Sequence, residues 1–262
     1  MSRRVRRFGW KTLLAGAVAV TAVGALAGVG EVLSAPARAV VGAAPADLHA
    51  IDVAIPARHS PLQVKGWLVR GQPGHGAVLL LHGVRANRTA MVGRARFLAR
   101  AGYTVLLIDL PAHGESGGER ITFGAREKDG VNAALAWLRV QAPGERIGAI
   151  GVSLGAASLV LAHPAPALDA VVLESMYPTI DDAVANRLRV RLGTAGAWAA
   201  PLLVQQLPWR AQVAPAALRP VDDIASMASY ERRVSEFMAA HLRHSLFLSS
   251  SNDVEKIYSK HI

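Results

Sequence analysis

A serine stands between two glycines in the stretch Gly151-Val152-Ser153-Leu154-Gly155. A serine hydroxyl attacks a carbonyl carbon when a neighbouring base accepts its proton. Small residues two positions before and two positions after the serine are typical of the tight strand-to-helix turn that carries such a nucleophile. Serine at this position is also well suited to capping the helix that follows. The motif alone is therefore compatible with a nucleophile and with a helix cap.

Two more polar clusters follow apolar runs along the chain. His82 and Gly83 come directly after AVLLL, Asp109 closes YTVLLI, and Ser153 follows RIGAIGV. In an open parallel sheet, ligands bind beyond the carboxyl ends of the strands, which lie at one edge. The sequence therefore predicts that His82, Asp109 and Ser153 meet at this edge, which favours the nucleophile over the cap.

The predicted turn also supplies groups that stabilise an anion. Ser153 would lie at a helix N-terminus, where free N–H groups and the helix dipole favour developing negative charge. We expect the backbone N–H of Leu154 to be one donor to an oxyanion, and the N–H of Val84, in the loop after LLLHG, to be the second. The sequence thus predicts a site for acyl transfer.

The elements that position these residues alternate between strand and helix. AVLLLH, YTVLLIDL, RIGAIGV and LDAVVLES are continuous apolar runs, typical of strands buried on both faces. RARFLARAG and KDGVNAALAWLRVQAPG have helical spacing, whereas LQVKGWLVR alternates and predicts an antiparallel strand on the edge side of the sheet. This order predicts an α/β fold, in which a mostly parallel sheet carries helices on both faces.

Over roughly residues 51–180 the chain resembles the α/β-hydrolase family, in its serine esterase and serine aminopeptidase-like members. The resemblance is carried, in register, by VLLLHG, GYTVLLIDLPAHGES, RIGAIGVSLGA and LDAVVLES. It implies that Asp109, His113, Gly114 and Ser116 hold neighbouring turns in place. It also implies that His82 shapes the oxyanion loop, so that neither His82 nor His113 is the catalytic base.

The acid and the base that this family places after the serine are not evident. The resemblance implies the order serine, acid, histidine, each of the last two following a further strand. The sequence instead gives a helical stretch at 181–207, inside a candidate cap at 181–215, and then RPVDDIAS and ASYERRVSEFMAAHLR. The segment that should carry both residues is missing between about Ser226 and Ser229. We therefore expect a C-terminally incomplete α/β-hydrolase fold.

Two pairings of acid and base remain open. Asp253 would be the acid, with His261 as the base, if SLFLSSSND is the missing strand. Asp222 or Asp223 would be the acid if His241 is the base. For both pairings the alternative is that these residues are ordinary solvated side chains without a catalytic role.

The C-terminal tail differs in composition from the rest of the chain. No alanine occurs from Leu242 to Ile262, although alanine is abundant elsewhere. One hypothesis is an internal deletion combined with an altered reading frame. We therefore expect residues 51–243 to form the hydrolase domain, and residues 244–262 to form an atypical tail.

The N-terminus predicts a membrane segment. Basic residues, among them Arg3, Arg4, Arg6 and Arg7, precede a run from Thr12 to Gly30 without any charge. As a helix this run reaches about the thickness of a bilayer core, and the flanking arginines favour a cytoplasmic N-terminus. We expect residues 1–33 to be a signal anchor, and the Ala- and Pro-rich residues 34–50 to be a linker.

A cleaved signal peptide is the alternative to the anchor. Ala37 and Ala39 offer a small-x-small cleavage site, which would give a secreted protein. The paired arginines are also found in twin-arginine signals, but the residues after them match such a signal poorly. Both the anchor and the cleaved signal place the domain outside the cytoplasm.

Composition excludes several classes of function. The chain of 262 residues contains no cysteine, which excludes disulfides and thiolate catalysis. A net charge of +10 comes with only 5% aromatic residues and no groove-reading motif, so we expect no nucleic-acid partner. There is no cluster of metal ligands and no phosphate-binding glycine loop, so we expect neither a metal nor a cofactor.

The sequence thus predicts a membrane-anchored serine hydrolase that acts on small carboxyl esters or short peptides through Ser153. A truncated, catalytically impaired hydrolase-fold protein, inert or with only a binding role, is the alternative. A small-molecule binding module, with Ser153 as a helix cap, is a third and more distant interpretation.

Overall fold

A computed structural model describes residues 2–57, 62–164 and 166–227 of the chain. The chain divides into two units. The helical unit consists of Met1–Ala35 and Ile180–Ala217. The sheet unit consists of Pro36–Thr179 and the segment that begins at Leu218.

The strands are β1 (Ala37–Arg38), β2 (Ile51–Pro56), β3 (Gln63–Val69), β4 (Ala77–Leu81), β5 (Thr104–Ile108), β6 (His113–Gly114), β7 (Ile147–Val152) and β8 (Ala170–Glu174). The helices are α1 (Ser2–Ser34), α2 (Val92–Arg100), α3 (Glu127–Gln141), α4 (Leu154–Leu161), α5 (Ile180–Ala197), α6 (Ala200–Val204), α7 (Leu207–Arg210) and α8 (Pro220–Met227).

The main sheet of the sheet unit has the strand order β2-β3-β5-β4-β7-β8. Strands β4, β5, β7 and β8 pair in parallel, whereas β2 pairs antiparallel with β3 and β3 pairs antiparallel with β5. The continuous apolar runs form the central strands, because the sheet is covered on both faces and each strand must be apolar on both. The predicted α/β fold, with its mostly parallel sheet and an N-terminal apolar helix, is confirmed.

Alternate residues of the central strands enter two cores. On one face, Leu79 and Leu106 belong to a core with Val131 and Leu135 of α3. On the other face, neighbouring strand residues such as Leu80 lie in a core that contains residues of α2. Helices therefore cover both faces of the sheet and fix the ends of its strands, which is where the predicted site lies.

Strand β3 lies one position further inside the sheet than the prediction of an edge-side strand suggested. It pairs with β2 on one side and with β5 on the other, so β2 is the edge strand. The alternation seen in the sequence ends at Lys65, and Gly66–Val69 carries mostly buried residues. The exposed positions therefore mark only the first half of β3.

Part of the predicted linker at 34–50 is built into the sheet unit. Strand β1 pairs in parallel with β6, and the N–H groups of Val41 and Gly42 donate to the Glu115 carboxylate. Leu48 is buried in the core on the α2 face. The Ala- and Pro-rich composition from which the linker was predicted does not reveal such short pairings with residues far along the chain.

The helical unit combines the N-terminal helix with the candidate cap. The structure assigns residues 180–217 to this unit together with α1, whereas the sequence placed residues 181–215 within the hydrolase domain. Helix α5 is interrupted at Gly193, whose φ of 72° is outside the helical range. Within α1, the span Gly9–Ser34 is long and apolar enough to cross a membrane, and a signal sequence would meet the same criteria.

Candidate active site

Ser153 sits on a strained turn between β7 and α4. Its φ of 49° and ψ of −107° are unusual for a residue with a side chain. Backbone hydrogen bonds hold this conformation: the N–H of Ser153 donates to Glu174 O at 2.8 Å, and the N–H of Ala157 donates to Ser153 O at 3.0 Å. Strain of this kind costs on the order of 1–3 kcal/mol and persists only where the surrounding structure enforces it.

The two glycines of the motif are required by close packing of the backbone. A Cβ at position 151 would lie 2.6 Å from Ala156 N, and a Cβ at position 155 would lie 2.6 Å from Leu81 O. Real Cβ atoms do not come this close to backbone atoms. The turn is therefore accessible only to glycine at Gly151 and Gly155.

The two backbone N–H groups that the sequence predicts as oxyanion donors belong to Leu154 and Val84. Leu154 is the first residue of α4, so its N–H has no acceptor within the helix. The loop after β4 passes close to the serine, since a Cβ on Gly83 would lie 3.7 Å from Ser153 Cβ. Among the residues that the structure describes, the N–H of the next residue, Val84, has no hydrogen-bond acceptor.

His82 is locked in one neutral form. Its Nε2 accepts a hydrogen bond from the N–H of Leu110 at 3.0 Å. Its Nδ1 must therefore carry the proton, which it donates to Gly83 O at 2.7 Å. Burial lowers the pKa of His82 to about 3. With both nitrogens engaged, His82 ties the loop after β4 to the loop after β5 and has no free lone pair for proton transfer.

His113 is also buried and neutral. Its Nδ1 lies 2.9 Å from Pro111 O, an acceptor, so the proton is on Nδ1. Its ring meets that of His82 edge-on, with centroids 5.2 Å apart. Desolvation lowers the pKa of His113. Its Nε2 has no hydrogen-bond partner among the described residues.

Asp109 ties the loop after β5 to the loop after β4. Its carboxylate accepts from the backbone N–H of Arg88 at 2.7 Å, from the N–H of Glu115 at 2.9 Å, and from the Arg88 guanidinium. Arg88 and Asp109 are both buried, and the guanidinium also binds the Glu115 carboxylate. The Arg88 hydrogen bond holds the pKa of Glu115 below its usual value.

Further contacts complete this support around the Asp109 loop. The Ser116 hydroxyl donates to Asp109 O at 2.6 Å and accepts from the N–H of Lys65 at 2.8 Å. Gly114 has a φ of 49°, and a Cβ there would collide with the Asp109 carboxylate. These contacts agree with structural roles for Asp109, Gly114 and Ser116.

Sequence reasoning did not identify Arg88 or Glu115. Arg88 lies in ANRTAM, outside any recognisable motif, and its guanidinium stacks 4.6 Å from the centre of the Trp67 ring. The sequence does contain one indication. Glu115 lies in GYTVLLIDLPAHGES, and a carboxylate within this glycine-containing loop could have suggested a cationic partner.

An ion pair at the end of β8 also escaped prediction. Arg94 of α2 donates to the Glu174 carboxylate through Nε and Nη2, and its Nε lies 3.0 Å from Glu174 Oε1. The hydrogen bond to Glu174 raises the pKa of Arg94. Because Glu174 O also accepts from Ser153 N, this pair anchors the strand end that supports the serine.

The structure does not bring the described acid and base candidates to Ser153. Asp223 lies 3.6 Å from His163, which follows the C-terminal end of α4. An eight-residue helix is about 12 Å long, and Ser153 lies at the opposite end of α4. Asp222 instead pairs with Arg219.

The remaining candidates, Asp253, His241 and His261, lie outside the described residues. The Ser153 hydroxyl has no hydrogen-bond partner among the residues that the structure describes. The same residues contain no group of three or more His, Asp or Glu side chains that could hold a metal.

The sheet order and the strained serine between β7 and α4 are features of an α/β hydrolase. The chain belongs to the X-Pro dipeptidyl-peptidase (S15) family, whose sequence pattern matches residues 40–257. This range extends across the tail whose composition departs from the rest of the chain. The chain therefore has the family pattern and the fold of an α/β hydrolase.

One curated relative is the uncharacterized protein YqkD of Bacillus subtilis (strain 168). It is 28% identical to this chain over 130 residues, which make up 48% of this chain and 43% of YqkD. The chain thus spans less than half the length of that relative.

Solved structures of a Pyrococcus furiosus esterase are similar in fold. In one crystal form the TM-score is 0.56 at 23% identity, covering 78% of this chain and 85% of the esterase. In a second form the TM-score is 0.53 at 30% identity, covering 64% of this chain and 68% of the esterase.

Proposed function

We propose that this protein hydrolyses carboxyl esters or peptide-like acyl bonds through an acyl-enzyme on Ser153. The Ser153 Oγ attacks the carbonyl carbon, and the N–H groups of Leu154 and Val84 hold the resulting oxyanion. The proton of the hydroxyl passes to a base and then to the departing alcohol or amine. Water releases the acid by the reverse sequence and restores the serine.

The observation that carries this proposal is the backbone at Ser153. A helix cap needs no positive φ, because a cap residue adopts an ordinary extended conformation. Ser153 has a φ of 49° and makes no side-chain hydrogen bond to the first turn of α4. The strain and the flanking Gly151 and Gly155 are accounted for if the hydroxyl must be presented to a substrate.

The base and the acid belong to the C-terminal part of the chain in this proposal. His82 and His113 are buried and neutral, and the Asp223–His163 pair lies at the far end of α4. We therefore assign the base to His241 or His261, with Asp253 as the candidate acid. The S15 family match, which continues to residue 257, supports a role for this stretch.

The relatives support the substrate class that we propose. The S15 family is described as X-Pro dipeptidyl-peptidase, and the Pyrococcus furiosus protein is an esterase. Both reactions proceed by acyl transfer, which the oxyanion donors of this site would serve. We propose a small ester or a short peptide as substrate.

We further propose that α1 anchors the protein in a membrane, with the sheet unit outside the cytoplasm. The basic N-terminus and the uncharged run that follows support this orientation. Cleavage near Ala37 and Ala39 would instead release the protein. The mass of the mature chain distinguishes the retained anchor from the cleaved signal, because cleavage removes α1.

Labelling with a fluorophosphonate probe tests the nucleophile. We expect the probe to label the full chain, and the Ser153→Ala variant to remain unlabelled. Ser158→Ala is the matched control: this hydroxyl lies one turn further along α4, is buried, and donates to Leu154 O at 2.7 Å. Ester hydrolysis by Ser153→Ala should fall by about three or more orders of magnitude in kcat.

One observation favours a second candidate function. No described histidine contacts Ser153, so the chain would be a non-catalytic hydrolase-fold protein if residues 228–262 supply no base. That protein would show no labelling at all, in the presence of a folded sheet unit. Labelling that persists in Ser153→Ala but disappears in another serine variant would contradict both candidates.

A further inference from the structure

The helical unit carries large apolar side chains on its surface. In residues 180–217, Trp198 is 85% exposed, Trp209 is 64% exposed and Leu202 is 53% exposed. Single exposed apolar residues are common on proteins, but two tryptophans and a leucine within twelve positions form a concentration that usually marks an interaction surface.

The segment that carries these apolar residues contacts the C-terminal end of α1. Gln206 donates from Nε2 to Leu26 O at 3.2 Å, and Arg210 donates from Nη2 to Ala27 O at 2.6 Å. Arg210 also forms an ion pair with Glu31. A polar clamp therefore holds α7 against the last turns of α1.

Gly30 makes this contact possible. A Cβ on Gly30 would overlap the Gln206 amide, and it would come within 3.1 Å of Arg210 Nε. Gln206 is buried there, and its Oε1 accepts from Arg210 Nε at 2.8 Å. The close packing at Gly30 and the hydrogen bonds of Gln206 and Arg210 therefore form a specific contact with this end of α1.

The position of the clamp along α1 coincides with the expected edge of a bilayer. The uncharged run from Thr12 to Gly30 is about 28 Å long as a helix, close to the roughly 30 Å of a hydrocarbon core. Glu31 is the first charged residue after Lys11. The Arg210–Glu31 pair thus falls where the hydrocarbon gives way to headgroups.

Tryptophan and arginine are the residues expected at this depth. Tryptophan rings concentrate at the membrane–water interface, since they have an apolar body and a polar N–H. The Arg210 guanidinium lies 4.7 Å from the centre of the Trp209 ring. Helix α5 adds three exposed basic residues, Arg187, Arg189 and Arg191, and such side chains are attracted to anionic lipid headgroups.

We propose that residues 198–210 form a membrane-surface segment, whose Trp198, Leu202 and Trp209 side chains enter the headgroup layer of the bilayer that α1 spans. The occupant of this surface is lipid. The inference depends on the proposed anchor and is independent of the catalytic role of Ser153.

Cysteine labelling tests the inference in the full chain, because the chain has no cysteine of its own. Three single variants are labelled with an environment-sensitive fluorophore: Leu202→Cys, Val18→Cys within α1, and Val140→Cys on the exposed side of α3. The proteins are inserted into vesicles of phosphatidylcholine and phosphatidylglycerol. Quenching is measured with lipids that carry a quencher near the headgroup or deep in the acyl chain.

The expected pattern separates the three positions. We expect the label at Val18→Cys to be quenched best by the deep quencher, and the label at Leu202→Cys best by the shallow quencher. The label at Val140→Cys should remain unquenched. An unquenched label at Leu202→Cys beside a quenched label at Val18→Cys would overturn the inference and leave the anchor intact.

Two other results would also overturn it. If the label at Val18→Cys is not quenched, the anchor fails and the inference fails with it. If mild oxidation of unlabelled Leu202→Cys in vesicles gives disulfide-linked dimers, the surface is covered by a second copy of this chain. Labelling by fluorophosphonate is unaffected by all three variants if the proposed function is correct, which keeps the two tests distinct.

Discussion

The two units of the molecule place apolar and polar side chains in opposite ways. In the sheet unit, the central apolar strands are buried on both faces, and the buried charged residues Asp109 and Arg88 form a hydrogen-bonded pair. In the helical unit, large apolar side chains along α1 and in residues 198–210 are exposed. The helical unit thus exposes more large apolar side chains than the larger sheet unit, in which Phe97 and Val140 are among the exposed ones.

The two units therefore differ in the energetic cost that their unusual side chains carry. A buried pair of charges gains little net stability, but removing one partner leaves an uncompensated charge in the interior. The Asp109 network therefore fixes the geometry of two loops rather than adding much to the stability of the fold. An exposed apolar surface costs free energy because it is in contact with water. This cost is removed when the surface binds an apolar or interfacial partner.

The largest effect is expected for Asp109→Ala. Arg88 would keep its buried guanidinium and lose its buried partner, and the N–H groups of Arg88 and Glu115 would lose their acceptor. We expect the free energy of unfolding of the sheet unit to fall by about 3–5 kcal/mol. Urea denaturation followed by near-ultraviolet circular dichroism in detergent measures this change.

An exposed ion pair provides the matched control for Asp109→Ala. Asp47 binds Arg96 through two hydrogen bonds at 2.6 Å and 3.0 Å, and both side chains are largely exposed. Asp47→Ala should leave the unfolding midpoint almost unchanged, because solvent screens such pairs. If Asp109→Ala and Asp47→Ala lower the free energy of unfolding equally, burial does not explain the effect of removing Asp109.

The same substitution at two leucines sharpens the comparison between units. Leu135 of α3 is fully buried in the core of the sheet unit, whereas Leu202 of α6 is largely exposed. Leu135→Ala should lower the free energy of unfolding by about 2–5 kcal/mol, from lost burial and the cavity left behind. Leu202→Ala should cost little in detergent.

Binding to vesicles should reverse the order of these two variants. Leu202→Ala is expected to weaken the shallow insertion of residues 198–210, seen as a smaller blue shift of tryptophan fluorescence on addition of vesicles. Leu135→Ala should leave this shift unchanged under conditions in which it is folded. A large loss of stability in detergent for Leu202→Ala would show that its side chain is a core residue of the helical unit.

Much of the sheet unit follows from local sequence patterns. Buried parallel strands such as β4 and β7 need apolar residues on both faces, so their runs are continuous and easily read. The turn at Ser153 is encoded by Gly151 and Gly155, because no other residue fits there. Patterns of this kind depend on neighbours along the chain, and the sequence displays them directly.

What the sequence did not reveal depends on partners far along the chain. Arg88 is joined to Asp109 and Glu115 across two loops, and β1 pairs with β6 through two residues only. The contacts of Gln206 and Arg210 with α1 join residues that are 180 and 183 positions apart in the chain. No periodicity marks such contacts, so the linker at 34–50 was assigned from composition, and the candidate cap from a helical stretch.

The smallest expected effect concerns pH, and it tests how firmly the buried histidine is held. His82 has a pKa of about 3 in the folded protein, against an ordinary value of 6.5. Between these values the unfolded chain binds more protons than the folded one, so stability falls as the pH is lowered below 6.5. The slope contributed by this single group is at most about 1.4 kcal/mol per pH unit.

Replacing His82 separates this contribution from that of the carboxylates. His82→Gln keeps an acceptor for the N–H of Leu110 and removes the titrating ring, so its unfolding free energy should vary less with pH between about pH 5 and 6.5. His75→Gln is the control, because the His75 side chain is exposed. We expect the slope of His75→Gln to equal that of the unaltered protein. If His82→Gln also keeps that slope, the ring is protonated in the folded protein, and the neutral tautomer that orients the Val84 loop is not the one present in solution.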